Sequence, residues 1–244
     1  MNKFNQLHNV SRSKKNKMKY KLFFATFCLV LLSSATFAQN NKRADFFIGY
    51  SNLQAEGIPN NNDPGNIFSD NFFERRTGLH GAHVAVTGYF NNAVGITGDV
   101  SFHRKKDTFD FGGGDSDTLD TRVIYFMAGP KVKFRNASRV EPFAHVLAGG
   151  AHTRFEVNST TVFPSGTFDT SFDTSATDFA MAVGGGVDVR LSDNFSLRLI
   201  QVDYAPVFLR DRSIQRLGAA GAILPFTLEG QRQDNIRISV GLTF

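Results

Sequence analysis

From residue 44 onward, apolar and polar residues alternate with a period of two in segment after segment. No stretch there shows the 3.6-residue repeat of a good amphipathic helix. Such alternation sends successive side chains to opposite faces of a strand, so it commits the chain to β-structure. The last segment is the clearest. Ile236, Ile238, Val240, Leu242 and Phe244 fall on one face, and Arg237, Ser239, Gly241 and Thr243 on the other.

Seven further strands are expected upstream, near 44–52, 78–90, 93–103, 121–134, 141–156, 178–190 and 195–207. In the first, Phe46, Ile48 and Tyr50 oppose Asp45, Gly49 and Ser51. In the third, Val94, Ile96, Val100 and Phe102 oppose Thr97, Asp99 and Ser101. In the fourth, Ile124, Phe126 and Val132 oppose Thr121, Lys131 and Lys133. In the sixth, Phe179, Met181 and Val183 oppose Asp178, Asp188 and Arg190. The faces of the fifth are ambiguous. In the seventh, Arg198 has opposite parity to Gln201 and Asp203, and a bulge near Leu199–Ile200 would bring all three to one face.

The N-terminal segment is of another kind. Lys3, Arg12, Lys14, Lys15, Lys17, Lys19 and Lys21 precede the apolar run 22–34, and Ala38 closes a small-residue exit. A basic start, a short apolar run and a small-residue site make a secretory signal peptide, here 1–38 with cleavage after Ala38. Met18 would begin a more compact signal. The run is too short to cross a membrane as a helix, which takes about 20 residues. Removing those seven basic residues from 27 leaves 20 Lys and Arg against 22 acids, net −2, so no basic nucleic-acid surface remains. The one Cys, Cys28, leaves with the signal, which rules out an internal disulfide framework and suits an oxidising compartment.

The connections between the eight strands alternate in length. Strands two and three are joined by Asn91-Asn92, strands four and five by about 135–140, and strands six and seven by about 191–194. The other four connections are long, at about 53–77, 104–120, 157–177 and 208–232. An outer-membrane barrel has an even strand number, short periplasmic turns, long extracellular loops and strands that are apolar outside and polar inside. With that alternation and a final strand ending on Phe244, residues 44–244 resemble the eight-stranded OmpA/OmpX-like family of bacterial outer-membrane β-barrels. The family's aromatic girdles use Trp and Tyr, whereas this chain has no Trp and 26 Phe.

The resemblance implies an all-β fold, an eight-stranded antiparallel up-and-down transmembrane β-barrel over 39–244, in a Gram-negative outer membrane. It also implies that Val240, Leu242 and Phe244 form a C-terminal signal for the barrel-assembly machinery. The polar faces supply a lumen charge network of Asp45, Asp99, Lys131, Lys133, Asp188, Arg190, Arg198, Asp203 and Arg237. The alternative is a soluble lipocalin-like barrel with its apolar face inward and those charges in water.

Candidate chemistry is sparse. Asp99, Ser101 and His103 share one strand face, but a Ser-His-Asp triad needs His in the middle. Asp99 and His103 would stand about 13 Å apart. A bare Ser101/His103 pair would suit a lipid-modifying outer-membrane enzyme. His80 and His83, three apart on a strand, point to opposite faces and make no metal pair. Gly112-Gly113 with Asp117 and Leu119 partly matches a calcium-binding nonapeptide, yet it occurs once and has Asp115 where that repeat places Gly. The segment 157–177 is rich in Ser, Thr, Asp and Phe. Its Phe163, Phe168 and Phe172 either touch a partner or belong to strands that continue past the membrane.

The expectation is therefore a non-enzymatic barrel with a structural or surface-interaction role, without catalytic residue, cofactor or metal. Its partners are outer-membrane lipid, the assembly machinery and an extracellular surface partner. An eight-stranded interior is just wide enough to be filled by side chains. A narrow channel remains a further alternative. With the sequence ending at Phe244, the cell-wall-binding domain of larger OmpA-type proteins is not expected.

Overall fold

Strict alternation over many residues leaves the chain no choice but extended ladders. The computed structural model describes residues 44–58, 75–136, 138–217, 223–228 and 230–244, and these form twelve strands. The strands are β1 (Ala44–Glu56), β2 (Arg76–Tyr89), β3 (Val94–Gly112), β4 (Asp115–Lys133), β5 (Val140–Phe163), β6 (Gly166–Ser192), β7 (Phe195–Tyr204), β8 (Val207–Phe208), β9 (Arg212–Leu217), β10 (Ile223–Leu228), β11 (Arg232–Gln233) and β12 (Ile236–Thr243). Each of β1 to β6 pairs with the next in sequence. β6 also pairs with β8, β7 pairs with β12, and β12 with β1. The ring closes on eight strands, β1–β7 and β12, so within the ring no edge is left unpaired. The segment read as an export signal lies outside the described residues.

The seam between first and last strands runs antiparallel from Phe47↔Thr243 to Gln54↔Ile236. Beyond it, the Phe46 N–H donates to the Phe244 carbonyl (3.1 Å), and the Phe244 N–H donates to the Phe46 carbonyl (2.9 Å). The Phe244 ring packs against Phe46 at 6.2 Å and edge-on to Phe195 at 5.1 Å.

The expected bulge is present. Toward β6, β7 pairs Ile200 with Val187 and then Arg198 with Asp188. Toward β12, it pairs Gln201 with Ser239 and then Arg198 with Gly241. The extra residue, shared between Leu199 and Ile200, resets the parity. Arg198, Gln201 and Asp203 are all buried, while Leu199 and Ile200 face out.

Two of the expected long loops are not loops. Residues 104–112 and 115–120 continue β3 and β4 to a tight turn at Gly113-Gly114, with positive φ at Gly112, Gly113 and Gly114 (80°, 67° and 93°). Only glycine takes three such residues in a row without strain. Residues 157–163 and 166–177 continue β5 and β6 to a turn at Pro164-Ser165. The two hairpins pair with each other as far as Ser116↔Thr160. Ser and Thr alternate there with Asp on one face and with Phe on the other, which leaves the period of two intact. The other expected long loops, 53–77 and 208–232, are partly strand as well. β1 runs on to Glu56, and β9 and β10 form a separate two-stranded sheet.

Candidate functional site: a packed interior and a projecting sheet

Inward parity starts from Asp45 on β1, and each strand adds its polar set at a matching height. At the end carrying the short turns, Lys133 Nζ lies 3.1 Å from Asp45, 3.2 Å from Glu141 and 3.0 Å from Asp188. Tyr89 donates to Asp45 at 2.9 Å. Arg198 donates to Asp188 (2.8 and 3.2 Å) and to the Gln201 side-chain carbonyl (2.7 Å). Its guanidinium lies between the rings of Phe47 (4.1 Å) and Phe143 (4.2 Å). Gly186 makes room there, because a Cβ would stand 2.9 Å from the Phe143 ring.

The chain of bonds continues to mid-barrel. Gln201 donates to Asp203 (2.7 Å), which also accepts from Arg237 (2.9 and 2.7 Å) and has His145 Nε2 at 2.8 Å. Arg237 reaches across to Asp99 (2.7 and 3.1 Å) and to Ser101 Oγ (3.0 Å). Nothing of Arg237 is exposed. A buried ion tolerates this only when paired and fully hydrogen-bonded, and two carboxylates plus a hydroxyl supply the partners.

Eight of the nine expected lumen charges thus join one network: Asp45, Asp99, Lys133, Asp188, Arg198, Asp203 and Arg237, with Arg190 added through Glu141. Lys131 is buried but makes no ion pair among the described residues, and its ammonium sits 4.3 Å over the Phe143 ring. Arg190 stands at the rim, 3.6 Å from Glu141. Sequence reasoning missed Glu141 and His145 because both lie on the strand whose faces were ambiguous. Cross-strand partners cannot be read from spacing along one strand, and that hid the role of His83.

His83 is the correction to the triad search. Asp99 Oδ2 lies 2.6 Å from His83 Nε2, and His83 Nδ1 lies 3.1 Å from Ser239 Oγ. His103 contacts Ser51 Oγ at 2.9 Å rather than Ser101. A Ser-His-Asp alignment therefore exists, across three strands. Its Asp also carries Arg237, its Ser is bonded to Ser51 at 2.9 Å, and all three side chains are buried. The notional Ser101/His103 pair is likewise inside, not at a membrane rim. Among the described residues, no three His, Cys or acidic side chains converge on a metal site.

Beside and beyond this network lies an apolar cluster, interspersed with buried polar groups such as His103, Thr121, Asp178 and Asn235. Leu53, Leu79, Val123, Tyr125, Met127 and Leu147 form a buried cluster with Ala151, Ala180, Ala182, Ala205 and Val207. Asn235 donates to the Tyr125 hydroxyl at 2.9 Å. Pattern reading does not reveal this layer, since an apolar residue at an inward position looks like any other.

On each barrel strand, or on the residues that continue it, the outward face turns polar toward the end away from the short turns. On β3, Ile96, Val100 and Phe102 are exposed and apolar, and the next outward residue is Arg104. Around the barrel, the first polar outward residues are Asn52, His80, Arg104, Arg122, His152, Thr177, Arg210 and Asp234. The belt below them on β3, Val94 to Phe102, is nine residues long, the length of a membrane-crossing strand of about 9–11 residues.

Beyond that height the ladders of β3, β4, β5 and β6 project as a four-stranded sheet, and the two faces exchange character. The face continuing the barrel exterior is charged. Asp120 accepts from Arg104 (2.9 and 2.6 Å) and Arg122 (3.3 and 2.6 Å), and Arg154 holds Asp173 (2.9 and 2.5 Å). The face continuing the lumen carries Phe109, Leu119, Phe155, Val157, Phe168 and Phe172, with Phe168 and Phe172 exposed at 70% and 64%. Asp107, Asp110 and Asp115 of the calcium-like stretch are engaged by Lys105, by the Gly112 N–H and by the Val162 N–H.

The hydrogen bonds from Arg104, followed by those from Arg122, hold the Asp120 carboxyl down to about 2. Its folded value is below the unfolded one of about 3.9, so its contribution is complete above pH about 4 and is lost as pH falls toward 2. Hydrogen exchange of residues 104–122 should lose protection across that window. Asp120→Asn should remove that pH dependence, and a wild-type profile flat from pH 4 to 2 would contradict it.

An eight-stranded closed ring with an apolar belt and a packed polar lumen defines an outer-membrane β-barrel. The chain matches the outer membrane protein beta-barrel domain over residues 24–244, and it belongs to that family. Its place is the bacterial outer membrane. Similar solved structures include the Yersinia pestis attachment invasion locus protein Ail in complex with the heparin analogue sucrose octasulfate. That match has 16% identity, covers 82% of this chain and 97% of that one, and has a TM-score of 0.44. OprG of Pseudomonas aeruginosa is 13% identical over 84% and 97%, with a TM-score of 0.46. A major outer membrane protein of Thermus thermophilus is 12% identical over 82% and 98%, with a TM-score of 0.44. No curated protein matches the chain.

Proposed function

We propose that this protein is a non-enzymatic outer-membrane barrel that displays its projecting four-stranded sheet on the cell surface as an interaction platform. The observation that carries the reading is that the ladders of β3, β4, β5 and β6 run on well past Arg104, Arg122, His152 and Thr177, where their outward faces turn polar. A sheet continued that far beyond the lipid belt, with Phe on one face, adds nothing to spanning the membrane. It fits presentation to a partner. The lumen supports this reading from the other side. Its charges are held in ion pairs and an apolar cluster packs beside them, which opposes both a lipid-modifying site and a narrow conducting path. On the same reading the apolar belt contacts outer-membrane lipid, and Val240, Leu242 and Phe244 on the outward face are what the barrel-assembly machinery recognises.

The mature chain contains no Cys, so Ser165→Cys at the tip of the β5–β6 hairpin places a unique thiol. A membrane-impermeant maleimide should label it on intact cells as fully as on lysed ones. Labelling only after the outer membrane is permeabilised would place the sheet in the periplasm and overturn the reading.

A further inference from the structure

Projecting strands have edges that the ring does not protect. β6 pairs with β5 from Gly166 to Val189, but on its other side it pairs only from Phe179 onward, with β8 and then β7. The stretch 166–176 therefore presents one row of backbone donors and acceptors with no ladder partner among the described residues. At about 3.3 Å per residue this edge is about 36 Å long. On the other side of the sheet, β3 has no ladder partner above Arg104 among the described residues. That edge carries Lys105, Lys106, Asp107 and Asp110, the kind of charge that blocks strand addition. The β6 edge is blunted far less. Its two charges are turned back onto β5, Asp169 to the Thr160 hydroxyl (2.9 Å) and Asp173 to Arg154.

The sequence of this edge is a tandem repeat, Phe168-Asp169-Thr170-Ser171 followed by Phe172-Asp173-Thr174-Ser175. A repeat of four on a strand returns each residue type to the same face. Pairing two copies antiparallel about Thr170 sets Phe168 opposite Phe172 twice, Asp169 opposite Ser171, and Asp173 opposite Thr167. No charge meets its like, and two aromatic cross-strand pairs form, the type that stabilises a ladder. Sliding the centre by one residue to Ser171 would set Asp169 against Asp173 twice. The repeat thus selects its own register.

We propose that the partner of this edge is the same edge of a second copy, joined by antiparallel strand addition of β6 to β6. The inference rests on the sheet being displayed outside the cell. The two-fold axis of such a pair is perpendicular to the sheet, so it reverses the strand direction and sends the two barrels to opposite ends. Two copies in one membrane cannot meet this way, whereas two copies in facing membranes can. The contact therefore bridges membranes: eight strands form one continuous sheet, with both Phe-bearing faces on the same side.

The test uses the mature protein refolded into liposomes, with two vesicle populations carrying donor and acceptor lipid dyes. Wild-type vesicles should cluster and show energy transfer between populations. Thr170→Lys sets Lys opposite Lys at the symmetry centre and should abolish clustering, and Thr170→Glu should do the same. Mixing the Lys vesicles with the Glu vesicles should restore it, since opposite charges then meet. Heat-modified gel mobility checks that each variant is folded. Absence of wild-type clustering, or of restoration on mixing folded variants, overturns the proposal. If Ser165→Cys is labelled on intact cells while clustering fails, the display stands and self-pairing falls. If that thiol is not labelled, the display itself falls.

Discussion

Replacing Arg237 by Met should lower the unfolding free energy of the refolded barrel by about 3–5 kcal/mol in a urea titration, with heat-modified mobility as the folded-state marker. The side chain is fully buried and is the only cation within hydrogen-bonding distance of both Asp99 and Asp203 among the described residues. Met fills a similar volume but leaves two carboxylates facing each other with their charge unmatched. The loss therefore reflects two stranded anions more than a missing bond. Adding Asp99→Asn and Asp203→Asn to Arg237→Met should recover a large part of it, since neutral amides need no counter-ion. A change of under about 1 kcal/mol for the single variant, the range of an exposed ion pair, would mean that water reaches the lumen at this level.

Deleting Phe244 should cost about 3–5 kcal/mol, from two backbone hydrogen bonds at about 1 kcal/mol each and two ring contacts of about 0.5–1.5 kcal/mol each. Phe244→Ala keeps the backbone bonds, so it should lose only the ring share in vitro. In cells the two variants should converge on low outer-membrane levels, because both lack the terminal ring that we propose the assembly machinery reads. Equal recovery of Phe244→Ala and wild type from the outer membrane would remove the recognition role and leave Phe244 as seam packing alone.

The sequence carried the strand number, the polarity of seven strands and the bulge at Leu199–Ile200, because each is a question of parity along one segment. It carried much less about what lies across a ladder. Glu141 and His145 were lost with the ambiguous fifth strand, where Leu147, Gly149 and Ala151 turn inward and Ala144, Val146 and Ala148 turn outward, so neither face reads as polar. The apolar layer of Leu53, Leu79 and Tyr125 was hidden for a related reason: in a membrane barrel an apolar residue belongs to either side. The segments 104–120 and 157–177 read as loops by their Ser, Thr, Asp and Gly content. Alternation was present there too, but with the faces exchanged, since above the lipid belt water takes the side that lipid held below.

The pairing pattern of the ring has a consequence for the order of events in folding. Most pairings join neighbours in sequence, and the β5–β6 ladder can zip from its Pro164-Ser165 turn without bringing distant segments together. The β1–β12 pairing is different, because Phe47 must find Thr243 across nearly the whole folded chain. The entropy of closing a chain segment grows with the logarithm of its length, so this pairing is the most costly to start. The projecting hairpins are then early, locally determined events, and the meeting of the two termini is the late, slow step. Weakening contacts at that junction should retard folding, while equal weakening at the hairpin tips should leave the rate of closure nearly untouched.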